Sequence, residues 1–137
     1  MAAEARIRLQ RGNDSGGGPV AGAAVRTYQL VIDVAREVTV RVGRLGVFRF
    51  PPGRYVYTGS AKRNLEARIA RHLSADKRLR WHVDYLLAAP GVAVVAVRRS
   101  RRPECELNRA TRGGIPVPGF GASDCRAGCG SHLKRRA

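Results

Sequence analysis

The chain has few acidic residues, three cysteines and no long apolar run. Of its 137 residues, 10 are Asp or Glu against 26 Lys or Arg, which gives a formal net charge of +16 at pH 7. A positive charge of this size exceeds what solubility requires, so we expect a polyanionic partner, and nucleic acid is the commonest one. Nearly all of the positive charge is arginine, which favours bidentate phosphate contacts but is equally compatible with a codon bias.

The scarcity of cysteine and of apolar runs argues against two further classes of protein. Three cysteines are an odd number, which argues against a disulfide framework. No apolar run approaches the length of a membrane span, and no charged segment leads into a signal-like apolar core. We therefore expect a cytoplasmic protein with no membrane partner.

Length and composition allow one modest hydrophobic core. With 137 residues, 44% of them hydrophobic, one domain is expected. Residues 1–25 are rich in glycine and other small residues and predict a flexible N-terminal arm. Residues 26–133 predict the domain itself, and residues 134–137 predict a basic tail.

The stretch GRYVYTGSAKRNLEARIARHL, residues 53–73, predicts a turn, a short aromatic strand and a basic helix. Tyr55 and Tyr57 alternate along the strand and therefore point to one face. Gly59 ends the strand, where a side chain would block a close approach. Ser60 is a candidate cap for the helix that follows.

The helix carries two polar side chains beside its apolar stripe. Arg68 and His72, four residues apart, flank the stripe that begins at Leu65, whereas Arg63 and Arg71 point away from it. A guanidinium and an imidazole beside the core need a partner or a substrate, which predicts a site that handles phosphate. The alternative is that Arg68 extends past Leu65 to water and that His72 is a satisfied core histidine.

The strings of this region resemble a known nuclease family. YVYTGSAKRNLEARIARH is similar to the second half of the GIY-YIG endonuclease motif, with Tyr57-Thr58-Gly59 as the YIG element, Arg68 as the helix arginine and Tyr28 as the first tyrosine. More narrowly, the chain resembles the small Uri-type branch of that superfamily. The strings that carry this resemblance are PPGRYVYTGSA, LEARIARHL, RWHVDYLL, ECELNRA and GFGASDC with a following SHL.

The resemblance implies an α+β fold with a small, mainly antiparallel β-sheet flanked by helices. It also implies metal-dependent hydrolysis of nucleic-acid phosphodiester bonds. Glu106, on the helix predicted from ECELNRA, would hold one Mg²⁺ or Mn²⁺ ion, with Glu104 as the alternative ligand. The two carboxylates cannot face the same point, because they are two residues apart on a helix.

The resemblance also implies roles for the other residues of the motif. Arg68 would bind the phosphate, and Tyr28 or Tyr57 would act on the attacking water, with basic surroundings that favour the phenolate. His72 would share in proton transfer or bind phosphate. Contacts to the nucleic acid are expected from residues that follow the second tyrosine: Gly59, Ser60, Lys62, Arg63 and Arg71.

Later segments would return to the same cleft. The resemblance places His82, Asp84, Ser123, Asp124 and His132 there. For His82 and Asp84, the alternative is that they cap or orient neighbouring residues.

Cysteine and histidine near the C-terminal end offer ligands that zinc accepts. These are Cys125, Cys129 and His132, with Cys105 as a possible fourth. The spacing is not that of a standard zinc finger, and the intervening residues fit an ordinary loop. The sequence therefore argues against a structural zinc.

Two other functions stay open. The chain could be a non-catalytic nucleic-acid-binding module on a nuclease scaffold, or a domain that docks onto a larger complex. We favour DNA over RNA as the partner. Since no element for base readout is identifiable, the action expected is structure-directed or nonspecific.

Overall fold

A computed structural model describes residues 25–74, 78–122 and 128–136. The strands are β1 (Thr27–Val34), β2 (Val38–Val42), β3 (Gly46–Phe50), β4 (Gly53–Ser60), β5 (Val92–Ser100) and β6 (Leu133–Arg136). The helices are α1 (Leu65–Leu73), α2 (His82–Leu87) and α3 (Glu104–Ala110), and a 3-10 turn at Gly43–Leu45 joins β2 to β3. The predicted N-terminal arm falls almost wholly in residues 1–24, outside the described residues.

The main sheet has four strands in the order β5-β1-β4-β6, and all neighbours are antiparallel. Strands β2 and β3 form a separate antiparallel hairpin. This arrangement confirms the predicted α+β fold with a small, mainly antiparallel sheet. Among the described residues, no helix combines the length and the apolar character that crossing a membrane requires.

Both faces of the central strand β1 are covered, which explains why nearly all of its residues are buried. On one face Tyr28 and the apolar residues that alternate with it contact α1 and the core. On the other face the amide of Gln29 donates hydrogen bonds to Thr58 of β4 and to Thr111 at the end of α3. Helices α1 and α3 therefore lie on opposite faces of the sheet.

Two elements differ from the sequence predictions. Helix α1 begins at Leu65 with Asn64 as its N-cap residue, so Ser60 does not cap it and is instead the last residue of β4. Residues 134–136, predicted as part of a basic tail, belong to the edge strand β6. The Nζ atom of Lys134 donates to two carbonyls at the C-terminal end of α3, which accounts for the burial of a charged residue.

Candidate functional site

Tyr28, His72 and Asp84 form a chain of polar contacts, here called the relay. The Nε2 atom of His72 lies 2.7 Å from the hydroxyl of Tyr28, and its Nδ1 atom lies 3.4 Å from Oδ1 of Asp84. An ionised carboxylate can only accept, so Nδ1 carries the proton and Nε2 accepts from the phenol. The relay joins β1, α1 and α2 in one hydrogen-bonded path.

Asp84 is fully buried but well satisfied. Its carboxylate accepts from the backbone N–H groups of Arg80 at 2.8 Å and Trp81 at 2.9 Å, and pairs with the guanidinium of Arg71 at 3.1 Å. Burial alone would raise the pKa of Asp84, but the hydrogen bonds from His72, from these two backbone groups and from Arg71 hold that pKa well below its usual range. Asp84 is therefore an anion at neutral pH.

The two tyrosines of the predicted site lie side by side in the interior. Tyr28 is 1% exposed and Tyr57 is 6% exposed, and their ring centroids are 6.3 Å apart. Burial raises the pKa of both phenols well above the usual range, and the opposing charge of Arg68 is too weak to reverse this. The prediction that basic surroundings favour the phenolate is wrong, because desolvation outweighs the nearby positive charge.

Arg68 lies at the solvent side of this cluster and is half-buried. Its Nη1 atom donates to the carbonyl oxygen of Ser60 at 2.8 Å, and its guanidinium lies 4.6 Å from the ring centroid of Trp81. Arg71 lies 4.5 Å from the same ring. The prediction that Arg71 points away is wrong, because it packs on Trp81 and pairs with Asp84. Its contact with nucleic acid stays a prediction.

Glu104 brings a carboxylate to the same end of the sheet. The hydroxyl of Ser60 donates to its Oε1 atom at 2.7 Å, and Nδ1 of His132 lies 2.8 Å from its Oε2 atom. Burial would raise the pKa of Glu104, but the hydrogen bonds from His132 and Ser60 and the charge of Arg68 lower it on balance. Ser60 thus connects Arg68, through its carbonyl, to Glu104, through its hydroxyl.

The geometry separates the two candidate metal ligands on α3. Glu106 is exposed and lies 3.4 Å from the guanidinium of Arg102, away from the relay. Glu104 lies in the cluster, with 28% of its side chain exposed. From the described residues, Ser60 donates to one of its oxygens and His132 to the other, and the further lone pairs of a carboxylate can bind a hard divalent cation such as Mg²⁺ or Mn²⁺.

His82 holds a loop over Tyr57. The backbone N–H of Gly121 donates to its Nδ1 atom at 2.8 Å, and burial lowers the pKa of His82, which favours the neutral, accepting form. Gly121 has φ +67°, and an added Cβ there would lie 2.9 Å from the Tyr57 ring. This hydrogen bond is of the kind that the orienting alternative for His82 predicts. Ser123 and Asp124, predicted for the cleft, lie outside the described residues.

The remaining predicted contacts to nucleic acid divide into two groups. Gly59 is buried, and an added Cβ would lie 2.5 Å from the Tyr28 hydroxyl, so its role is to make room for that phenol. Lys62 and Arg63 are exposed in the loop between β4 and α1. Arg26 is also exposed. It lies beside this loop, because its carbonyl oxygen accepts a hydrogen bond from the backbone N–H of Ala61 at 2.9 Å. We call Arg26, Lys62 and Arg63 the basic rim.

Sequence reasoning missed two contacts that organise the site. It did not pair His132 with Glu104, although both residues were named as candidates. It also did not predict that the ring of Trp81 contacts the guanidinium groups of Arg68, Arg71 and Arg80. Neither contact has a sequence signal, since each depends on how separate elements approach in space.

A protein-family model described as a domain of unknown function, DUF123, matches residues 27–137. The match starts at the first residue of β1 and runs past the end of β6, so it includes every strand and helix described above. Neither a curated protein nor a solved structure matches the chain.

Proposed function

The chain belongs to the DUF123 family, and we propose that it is a metal-dependent endonuclease that hydrolyses phosphodiester bonds of nucleic acid, with DNA the favoured substrate. The observation that carries the proposal is the convergence of Tyr28, Tyr57, Arg68, Glu104 and the imidazole of the relay at one end of the sheet. The resemblance of the surrounding strings to GIY-YIG endonucleases supplies the reaction class. Because no element for base readout is identifiable in the sequence, structure-directed or nonspecific cleavage is favoured.

Arg68 and the basic rim supply the phosphate site of this proposal. The guanidinium of Arg68 is half-exposed and fixed by Trp81 and by the carbonyl of Ser60, so it offers an oriented, permanently charged donor group. The exposed side chains of the basic rim would neutralise neighbouring phosphates without reading sequence.

The relay supplies the proton path. Because the phenol of Tyr28 is neutral, it acts by exchange: it takes a proton from the attacking water while giving its own to Nε2 of His72. Asp84, ionised and in contact with Nδ1, stabilises the imidazolium that results. Tyr57, beside Tyr28, shapes the polar surroundings of that hydroxyl.

Glu104 is the residue that would hold the divalent ion. When bound, Mg²⁺ or Mn²⁺ supplies positive charge to phosphate oxygens and to the leaving oxygen. Ser60 and His132 orient the carboxylate, and the lowered pKa of Glu104 keeps it ionised. Removal of the charge of the Glu104 carboxylate should therefore change how cleavage depends on the divalent ion more than it changes the fold.

A second candidate function, nucleic-acid binding without cleavage, is favoured by one observation. Tyr28 and Tyr57 are almost completely buried, and His72 is 2% exposed. Cleavage requires a movement that brings substrate to Tyr28, whereas binding at Arg68 and the basic rim requires none. The two candidate functions predict the same affinity for nucleic acid and differ in whether the bound substrate is cleaved.

A cleavage assay tests the proposal directly. Its substrates are labelled single-stranded, duplex and branched DNA, and RNA of the same sequences. Purified protein is incubated with each substrate in Mg²⁺, in Mn²⁺ and in excess chelator. We expect cleavage that requires a divalent ion and is greatest for one or more DNA substrates. Salt-sensitive binding with no turnover in either ion would refute the nuclease and support the binding module.

A further inference from the structure

Three side chains with zinc-binding atoms meet beside Glu104. The Sγ atoms of Cys105 and Cys129 and a ring nitrogen of His132 all lie within 4.8 Å of one another, and Cys105 Sγ is 3.9 Å from His132 Nε2. With Zn–S bonds of about 2.3 Å and Zn–N bonds of about 2.0 Å, tetrahedral geometry places ligand atoms roughly 3.5–4 Å apart. We infer that Cys105, Cys129 and His132 bind a zinc ion.

The contact between His132 and Glu104 prepares the imidazole for a metal. Nδ1 of His132 lies 2.8 Å from a carboxylate oxygen of Glu104, which can only accept, so the proton resides on Nδ1. The lone pair is then on Nε2, the atom that faces Cys105. A histidine that binds zinc commonly donates its other ring N–H to a carboxylate, which fixes the tautomer and orientation of the imidazole.

The ligand chemistry selects zinc over the ions proposed for Glu104. Thiolate and imidazole are soft or borderline ligands that zinc accepts, whereas Mg²⁺ and Mn²⁺ prefer oxygen. Each thiol gives up its proton as its sulfur binds, so loading releases two protons. The two thiolates then balance the charge of Zn²⁺ while the histidine stays neutral, and water or a further donor completes four-coordination.

Because of the position of the cluster, a bound metal ion would affect the fold. Cys105 lies in the first turn of α3, and Cys129 and His132 lie in the segment that leads into the edge strand β6. Backbone hydrogen bonds join this segment to β4 and to the part of the chain that precedes the segment. The side chain of His132 is buried, with His132 2% exposed. A bound ion would tie α3 to the last strand, independently of any nuclease activity.

Metal content of the full chain tests this inference. Protein purified without chelator should contain about one zinc ion per chain, and loss of a direct ligand should lower zinc affinity by at least about tenfold. The variants are Cys105→Ser, Cys129→Ser and His132→Ala. Glu106→Gln is the matched control on α3, because Glu106 pairs with Arg102 at the surface and should leave zinc content unchanged.

A second measurement on the unaltered chain applies even if a variant fails to fold. Zinc is removed, Co²⁺ is added, and the absorption spectrum is recorded. The inference predicts intense thiolate-to-cobalt charge-transfer bands, visible bands of a tetrahedral ion, and slow alkylation of Cys105 and Cys129 that becomes fast after chelation. A cobalt spectrum without thiolate bands, or metal-free protein after zinc addition, would overturn it.

Discussion

Nε2 of His72 lies 2.7 Å from the hydroxyl of Tyr28, which joins the last turn of α1 to the first strand across 44 positions of sequence. The contact brings two residues of the predicted site together in space. The sequence points to Tyr28 by resemblance and to His72 by its place beside an apolar stripe. Their hydrogen bond makes them parts of one polar path that ends at the ionised Asp84.

Loss of the Tyr28 hydroxyl tests that path. In Tyr28→Phe the ring still fills its place, but the proton cannot pass to His72, so we expect the cleavage rate to fall by about 10²–10⁴. Affinity for nucleic acid, which depends on Arg68 and the basic rim, should stay unchanged. Single-turnover cleavage and binding titrations separate the two effects.

Tyr55→Phe is the matched control for this change. Tyr55 is a buried tyrosine of the same sheet, but its hydroxyl donates to the carbonyl of Pro51. It should cleave like the parent chain. Equal rates for Tyr28→Phe and the parent would remove Tyr28 from the reaction.

Glu104 and Glu106 give a second matched pair, two residues apart on one helix. Glu104→Gln keeps the shape of the side chain but removes the charge proposed to hold the divalent ion, so we expect cleavage to fall by roughly 10²–10³ at fixed Mg²⁺. Glu106→Gln loses only an exposed contact with Arg102 and should retain full activity. The check is the rate as a function of Mg²⁺ concentration for both variants. The reverse order of effects would restore Glu106 as the ligand.

Local patterns predicted individual strands and helices and the resemblance implied the α+β fold, but the roles of several residues did not follow from either. Alternation along β4 placed Tyr55 and Tyr57 on one face, and the helix periodicity placed Arg68 and His72 beside the stripe of α1. These predictions rest on residues within one strand-helix unit, where spacing fixes direction. The predicted close approach at Gly59 is made by the ring of Tyr28.

Predictions that depended on the approach of distant elements were the weaker ones. The choice between Glu104 and Glu106 depends on how α3 rests beside β4, and spacing gives no information on that rotation. The phenolate prediction counted nearby positive charges but not burial, and burial controls the pKa of Tyr28. Arg71 was assigned by its helix face, but its long side chain reaches Trp81 and Asp84.

Gly59 offers a test of the packing beneath the site. An added Cβ would lie 2.5 Å from the hydroxyl oxygen and 2.6 Å from the Cζ atom of Tyr28, so Gly59→Ala forces the ring or the strand to shift. We expect a loss of about 1–3 kcal/mol in the free energy of unfolding, measured by urea denaturation. Gly114→Ala is the control, because no atom lies within 4 Å of the added Cβ there. Two variants of equal stability would show that Tyr28 is not held against Gly59.

Asp84 makes the stability of the domain depend on pH in a defined direction. Its pKa in the folded chain lies below the ordinary value of 3.8, so the charged form stabilises the fold. That contribution is fully present above pH 3.8 and is lost as the pH falls from there toward the lower folded pKa. We expect Asp84→Asn to unfold about 2–3 kcal/mol more easily at pH 7, because hydrogen bonds to a charged acceptor are lost.

The difference between the parent and Asp84→Asn should therefore shrink as the pH falls below 3.8. Urea unfolding at a series of pH values measures it, and the titrating groups that do not contact Asp84 cancel because both chains carry them. Asp33→Asn is the control: Asp33 pairs with Arg54 at the surface, so its loss should change stability by less than about 0.5 kcal/mol. If the Asp84→Asn difference stayed constant or grew as the solution became more acidic, Asp84 would not be the stabilising anion of the relay.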